Sequence, residues 1–298
     1  MGLDIDGEFL AAVEMDGGRL VRAVSAELPP GVMAGGEVKD PDALTAQLKS
    51  LFKAHTLPKR VRLGVSSQQI AVRQIELPVI QEQKERDAAV RFLAGDAIPV
   101  PLEDAVLDYQ IVGTVAGDDG TSRMQIVVVA ARRSMIEEIV AAVRAAGLKP
   151  EGIDLDAFAL VRTLTNGNGP VGDSPARVHC HLGGVTNLAV ASGSTCTFTR
   201  PLTSDWSSDG DLSVPLADEI RLSIDYYMAQ PAARRVSEVV LSGPGARSEE
   251  LLEGLGKHLG LPVSAARPFG IIDTAPLPEG EDPYRHTIAT GLALGATA

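Results

Sequence analysis

The sequence predicts an α/β protein built of two related lobes, with a small subdomain inserted into the first. Strands alternate with helices along the chain. One strand–turn–strand segment occurs twice, and about 80 residues between the two copies have a rhythm of their own. Length agrees, because 298 residues correspond to about two domains at roughly 100–200 residues each. An apolar share of 45% is ample for packed cores and excludes a disordered chain.

Leu3–Val13, the Gly17-Gly18 turn and Leu20–Ala26 read as strand, turn, strand. Asp40-Pro41 opens a helix, with aspartate as N-cap and proline at the first position. Its Leu44, Leu48, Leu51 and Phe52 form one buried stripe. Val61–Val65 and Ala71–Leu77 are short strands, the second ending at Pro78. A helix over about 81–95, strands Ala105–Val112 and Met124–Ala131, and a loose loop over Gly113–Ser122 complete a strand–helix–strand–strand unit. Ser134–Ala146 follows as a helix, with Ser134 and Glu137 as a capping box and Gly147 as the stop.

Gly152–Asp156 leads into a short helix, and Thr165–Pro175 is the strongest linker signal in the chain. Arg177–Ala191 and Thr195–Arg200 form the second strand–turn–strand. A helix from about Leu216 to Gln230 carries Leu216, Ile220, Ile224 and Tyr227 on one face. Val236–Leu241 is a buried strand entering the glycine turn Ser242–Ala246, and Ser248–Leu259 is a helix with a leucine stripe. His286–Gly295 reads as a closely packed terminal helix. The first lobe is therefore expected over 1–66 and 150–170, the insert over 67–149 and the second lobe over 171–298.

Charge and cysteine content narrow the function. Lys and Arg number 27 against 39 Asp and Glu, a net charge of −12. That excess argues against duplex nucleic acid as a partner, and against attachment to anionic lipid by charge. Membrane association is expected only through protein partners. Cys180 and Cys196 are too few for a disulfide framework and fit a reducing compartment. The longest strongly apolar stretch, Ile126–Ala131, is far short of the roughly 20 residues of a membrane-spanning helix. No signal-peptide pattern opens the chain, and Met1 sits directly on the first strand, as with a misassigned start or a short edge. The expectation is a cytosolic protein.

The repeat aligns without gaps. Leu3-Asp4-Ile5-Asp6-Gly7 sets against Cys180-His181-Leu182-Gly183-Gly184, and Ala12-Val13 against Ala189-Val190. Two such hairpins facing each other are a means of holding a nucleotide, since glycines let backbone N–H groups approach phosphate oxygens. A third turn, Val239–Ala246, runs from a buried strand through Gly243 and Gly245. It is either a ligand position or an ordinary strand–helix connection.

Several segments resemble one family. GLDIDGEFLAAVEM (2–15) is similar to the first phosphate hairpin of the type IV pilus assembly PilM family, in the actin-like ATPase superfamily and related to FtsA. VRQIELPVIQEQKERDAAVRFLAGDAIPVPLEDAVLDYQIVG (72–113) resembles its inserted SHS2-like subdomain. VVVAARRSMIEEIVAAVRAAGLKPEGIDLDAFAL (127–160), ADEIRLSIDYY (217–227) and VVLSGPGA (239–246) resemble further family stretches. The resemblance implies an actin-like (ASKHA, RNase H-like) two-lobed fold. It implies Asp4, Asp6, Gly7, Gly183, Gly184, Thr186 and Asn187 on the phosphate side of an ATP cleft. Glu219 and Arg221 would face ribose and base, and Gly243 and Gly245 would line the adenine side. The implied partners are the cytoplasmic N-terminal tail of the inner-membrane protein PilN and the pilus motor ATPase.

Departures from the motif carry chemical weight. A glycine and serines follow the family's first aspartate, and a lysine precedes A-V-E. Here those places hold Asp6, Gly7, Glu8 and Ala11. The second-hairpin aspartate is replaced by His181, and neutral imidazole is a poor ligand for Mg²⁺. A cleft with weakened or lost ATP binding, no firm Mg²⁺ site and little turnover is the expectation. The alternatives are an active actin-fold ATPase or sugar kinase, and an FtsA-like filament former, for which the tail Gly291–Ala298 lacks an interfacial face.

Other constellations have plainer readings. His179, Cys180, His181 and Cys196 suggest zinc, but strand alternation splits His179 and His181 from Cys180. Asp154 and Asp156 are either paired carboxylates or a capped strand exit. Glu219 and Arg221 also read as a solvated helix face. Phe92, Ile98 and Tyr109 are either core of the insert or lining of a partner groove.

Overall fold

The computed structural model describes all residues except 117–119, 166–173, 205, 207–210, 231–232, 267–268, 270–271, 273–275 and 296–298. The linker expected at Thr165–Pro175 thus lies mostly outside the described residues, as does the end of the tail. The chain divides into two compact units, one of Met1–Ser67 with Ile139–Ala298 and one of Gln68–Glu138.

β1 (Gly2–Ile5), β2 (Phe9–Asp16) and β3 (Arg19–Glu27) form an antiparallel meander. The span Leu3–Val13 is two strands, broken at 6–8. Gly7 takes φ +120°, and the Asp6 amide donates to the Phe9 carbonyl at 3.1 Å, closing a tight turn that a strand could not continue through. β4 (Met33–Ala34) and β5 (Glu37–Val38) make a minimal hairpin. α1 (Pro41–Ala54) then crosses to β6 (Arg60–Val65), which pairs parallel with β1. Asp40 caps α1 through the Ala43 amide at 2.9 Å, and Leu44, Leu48, Leu51 and Phe52 are its buried stripe.

The second unit contains β7 (Ile70–Pro78), α2 (Gln83–Ala97), β8 (Ala105–Ala116) and β9 (Ser122–Arg132). Its sheet is antiparallel in the order β7-β9-β8. Val90, Ala94 and Ile98 pack with Ile126 and Val128 as its core. Of the three residues in question there, Ile98 is core and Tyr109 packs against it. The Tyr109 hydroxyl donates to Asp87 Oδ1 at 2.6 Å and accepts from Arg86 Nε at 3.0 Å. Phe92 is different, at 75% exposed on the outer side of α2.

α3 (Arg133–Ala145) runs straight off β9, and the division between the units falls within it. The expected capping box is corrected here. Arg133 is already helical, its amide held by Asp104 O and its guanidinium by Ala105 O, both at 2.8 Å, so Ser134 sits inside the helix.

β10 (Lys149–Leu155) pairs parallel with β6 and leads into α4 (Asp156–Thr165). β11 (Ala176–His181), β12 (Asn187–Ser192), β13 (Thr195–Pro201), α5 (Ser213–Met228), β14 (Val236–Ser242), α6 (Glu249–Leu259), β15 (Val263–Ala265) and α7 (Thr287–Gly295) follow. Arg177–Ala191 is likewise two strands, parted by the Leu182–Thr186 loop.

The two large sheets of the first unit have the same plan. One is ordered β10-β6-β1-β2-β3 and the other β15-β14-β11-β12-β13, each with an antiparallel meander and two parallel crossover strands. The internal repeat is thus a repeat of whole sheets. The last helices are exchanged. α4 follows the first sheet but packs on Ala189, Ala191 and Cys196 of the second. α7 follows the second sheet but packs on Phe9, Ala11 and Val13 of the first.

α4 and α7 pack on each other where Gly291 has no side chain, since a Cβ there would strike the Ala159 carbonyl. Thr163 Oγ1 donates to Thr287 O at 2.8 Å, and Arg162 donates to Gly291 O at 2.7 Å. Gly291→Ala should therefore destabilise the protein by about 1–3 kcal/mol through overpacking. Phe92→Ala should change stability by less than about 0.5 kcal/mol. Urea denaturation of both variants checks the contrast.

Candidate functional site

The two loops that interrupt Leu3–Val13 and Arg177–Ala191 come together. β1 delivers Asp4, 2% exposed, and then Asp6, and β11 delivers His181, 3% exposed, followed by Gly183 and Gly184. The Gly184 amide donates to Asp6 Oδ1 at 2.7 Å, joining residues 178 apart. The turn closes around that carboxylate: a Cβ on Gly183 would strike Asp6 Oδ2, and one on Gly184 would lie 2.9 Å from Oδ1.

Behind this contact is a cavity of about 10 Å³, lined by Asp4, Asp6, Gly64, Ser66, Asp156, His181 and Asn187 among others. That is room for about one water. Asp156 is the first residue of α4 and enters because Gly64 on β6 has no side chain to meet it. Asn187 Nδ2 donates to Ser66 Oγ at 3.0 Å, and its Oδ1 accepts from Thr199 Oγ1 at 3.3 Å. His181 Nδ1 is hydrogen-bonded to Ser242 Oγ at 3.0 Å. Asp4 Oδ2, Asp156 Oδ1, His181 Nε2 and Thr186 Oγ1 are buried without a partner. In front lies an open pocket of about 750 Å³, lined by Gly7, Glu8, Glu27, the 28–31 loop, Gln47 and Gly184. Both spaces share Asp6, Met33 and Gly36.

Burial governs the electrostatics. It raises the Asp4 carboxyl well above the ordinary range, helped by repulsion from Asp156 and Asp6. Burial pushes Asp6 up to about 7 against the opposing pull of the Gly184 and Glu8 amides, and pushes Asp156 up to about 8 with repulsion from Asp6 and Asp154. His179 and His181 are both driven down to about 4, chiefly by burial, and are neutral imidazoles at pH 7.

The residues singled out in the sequence separate into groups. Asp4, Asp6 and Asn187 line the inner cavity, Gly7 and Gly184 the open pocket, and Gly183 and Thr186 belong to the intervening loop. Gly243, at φ +82°, lets the third turn approach His181 and Leu182 O, and Gly245 lies against Leu182 and Trp206. Glu219 accepts from the Thr203 hydroxyl and from the amides of Thr203 at 3.0 Å and Ser204 at 3.2 Å. Arg221 binds Asp218 at 3.0 Å and the His258 carbonyl. Neither Glu219 nor Arg221 lines either space. Ala11 is 0% exposed and packs against Ala289 and Ala293 of α7.

Asp154 and Asp156 have parted. Asp154 is held by Arg162 at 2.9 Å and Arg62 at 3.7 Å, whereas Asp156 faces the cavity. Alternation at a strand exit gave no indication of which carboxylate turned inward. Cys180 and Cys196 lie in different cores, and burial raises both thiols to about 12. Among the described residues no group of three or more His, Cys, Asp or Glu is arranged to hold a metal.

Comparison with known proteins places these features. A family model described as type IV pilus assembly protein PilM matches residues 2–180. A solved "PilM-PilN type IV pilus biogenesis complex" superposes with TM-score 0.81 at 25% identity, covering 100% of this chain and 98% of that one. The ethanolamine utilization protein EutJ from Carboxydothermus hydrogenoformans matches at TM-score 0.54 and 13% identity, covering 98% and 88%. The cytoplasmic domain of EpsL, an inner membrane component of the type II secretion system of Vibrio cholerae, matches at 0.52 and 12%, covering 98% and 92%. The last two share the fold alone. The fold is the actin-like two-lobed α/β fold with an inserted strand–helix–strand–strand subdomain.

The buried carboxyls set a pH dependence whose sign follows from proton counting. Each binds its proton more tightly in the folded state, so stability falls as pH rises from their ordinary 3.8 through about 7 and 8. His179 and His181 act oppositely, but only between about 4 and their ordinary 6.5. Above pH 6.5 the histidine contribution fades and the carboxyls dominate. The melting temperature should fall by several degrees from pH 6.5 to 8.5, at roughly 2–4 °C per kcal/mol. Asp156→Asn should flatten that slope, and calorimetry across the range checks both.

Proposed function

Since the chain belongs to the type IV pilus assembly protein PilM family, matching its model over residues 2–180, we propose that it is a scaffold of a type IV pilus machine that works by binding. It takes the cytoplasmic N-terminal tail of PilN and relays to the pilus motor ATPase. The observation that carries this reading is the likeness to the PilM–PilN complex, which extends over the whole chain. Among the described residues no helix is long and apolar enough to cross a membrane, in keeping with a cytoplasmic protein held at the inner face through its partner. A peptide tail docked in this way buries a few apolar anchors and adds main-chain hydrogen bonds.

The cleft between the glycine turns corresponds to the nucleotide cleft of the actin-like fold, in a degenerate form. A triphosphate and Mg²⁺ do not fit the residues as they stand. The inner cavity of about 10 Å³ is too small for a triphosphate, and its walls of Asp4, Asp6 and Asp156 offer phosphate no positive charge. His181, neutral and bonded to Ser242, offers no hard oxygen ligand to Mg²⁺. The position of the family's lysine is Ala11, sealed in the core. Phosphoryl transfer depends on cations placed around the transferring group, and this cleft supplies none of its own among the cavity-lining residues.

Two measurements test the proposal. Isothermal titration should show a synthetic PilN N-terminal peptide binding the full chain whether or not ATP is added; no heat in either case refutes the scaffold. Turnover of ATP should be well below about one per second, the low end of ordinary enzyme rates. A faster rate that disappears on His181→Ala would restore the active-ATPase alternative.

A further inference from the structure

We infer that the Asp6–Gly184 contact is an autoinhibitory latch, in which the Asp6 carboxylate occupies the place of a phosphate oxygen on the second glycine turn and shuts the inner cavity off from the open pocket. The inference rests on reading this cleft as the nucleotide cleft, and it concerns why the cleft is shut.

A backbone N–H turned outward from a glycine pair is an anion-binding group, and a carboxylate presents two oxygens to it much as a phosphate does. Asp6 Oδ1 takes the Gly184 amide at 2.7 Å, while Oδ2 fills the space where a Gly183 side chain would be. The fit is therefore made by both glycines and leaves that amide engaged. Asp6, with Met33 and Gly36, lines both the 10 Å³ cavity and the 750 Å³ pocket, which puts it at the boundary between them. Behind that boundary Asp4 Oδ2, Asp156 Oδ1 and His181 Nε2 are buried without partners, although each is a group that an opened cleft would hydrate. Glu8, on the pocket side, adds a second negative charge to the entrance. A phosphate entering from the pocket meets two carboxylates and a donor already taken. It gains the donor only if Asp6 swings away.

The test compares the full-length protein with Asp6→Gly, which removes the latch, and Asp6→Asn, which keeps an acceptor oxygen without the charge. Hydrogen exchange at the Gly184 amide, without ligand, should accelerate at least tenfold in Asp6→Gly. Titration with Mg-ATP should then show at least tenfold tighter binding to Asp6→Gly than to the wild type, with Asp6→Asn in between. Unchanged exchange overturns the latch, as does faster exchange with no gain in Mg-ATP affinity. Equal gains in the two variants would assign the block to charge alone and also overturn it. If Asp6→Gly does not fold, no gain in Asp6→Asn is sufficient to refute the inference. PilN-peptide binding is measured in parallel and should be the same in all three proteins. Its absence throughout would fell the scaffold reading while leaving the latch standing.

Discussion

Close approach of α4 and α7 is the constraint on which the first unit depends. Each helix ends one sheet and covers the other, so neither sheet is complete without a helix supplied from the far half of the chain. The approach requires backbone against backbone at Gly291, and the β1 contact with α7 requires the same at Gly2, where a Cβ would strike Ala289 O. A larger residue at either place forces the layers apart. Arg162 secures the junction by bonding Gly291 O and Asp154 together, so one guanidinium ties α7 to the end of β10.

The same junction fixes the electrostatics of the cleft. Asp156 opens α4 and Ile288 lies in the first turn of α7, and both border the inner cavity at the ends of those helices. Packing tight enough to exclude solvent leaves Asp4, Asp6 and Asp156 with little water to stabilise their charge. The outcome is that Asp4 and Asp156 keep their protons near neutrality, while the Gly184 and Glu8 amides hold Asp6 to about 7. His181 complements them as an uncharged neighbour, held to Ser242 on one side and unpartnered on the other.

Much of this was legible in the residues. The repeat of strand–turn–strand segments showed two lobes, and the alternation of apolar positions identified α1, α5 and α6 with their buried faces. Asp40, Ser248 and Gly260 behaved as their types require at helix ends. Local patterns were silent on tertiary choices. Nothing near Asp154 and Asp156 indicates that distant Arg62 and Arg162 claim the first and leave the second to the cleft. Glu219 looked equally fit for a ribose or a solvated face, and is instead engaged by the 203–204 turn. The Ser134 capping box failed because β9 ends at Arg132 and the helix already starts at Arg133, which leaves Ser134 inside α3 rather than at its N-cap. The Asp6 carboxylate was readable as a charge near phosphates, but its seat on Gly184 required bringing together two loops 178 residues apart.

Ala11 has a bearing on the history of the fold. In the resemblance motif its position belongs to a lysine, yet here the methyl group packs against Ala289 and Ala293, with α7 drawn close over β2. Lysine at this position alone would thrust an ammonium into an alanine-sized space with no counter-charge in that core. A cationic side chain at this position therefore requires α7 to withdraw, and α7 cannot withdraw without uncovering the first sheet. The order in which mutations could arrive is dictated by packing, so that a change in binding chemistry is held in place by a neighbouring helix that takes no part in it.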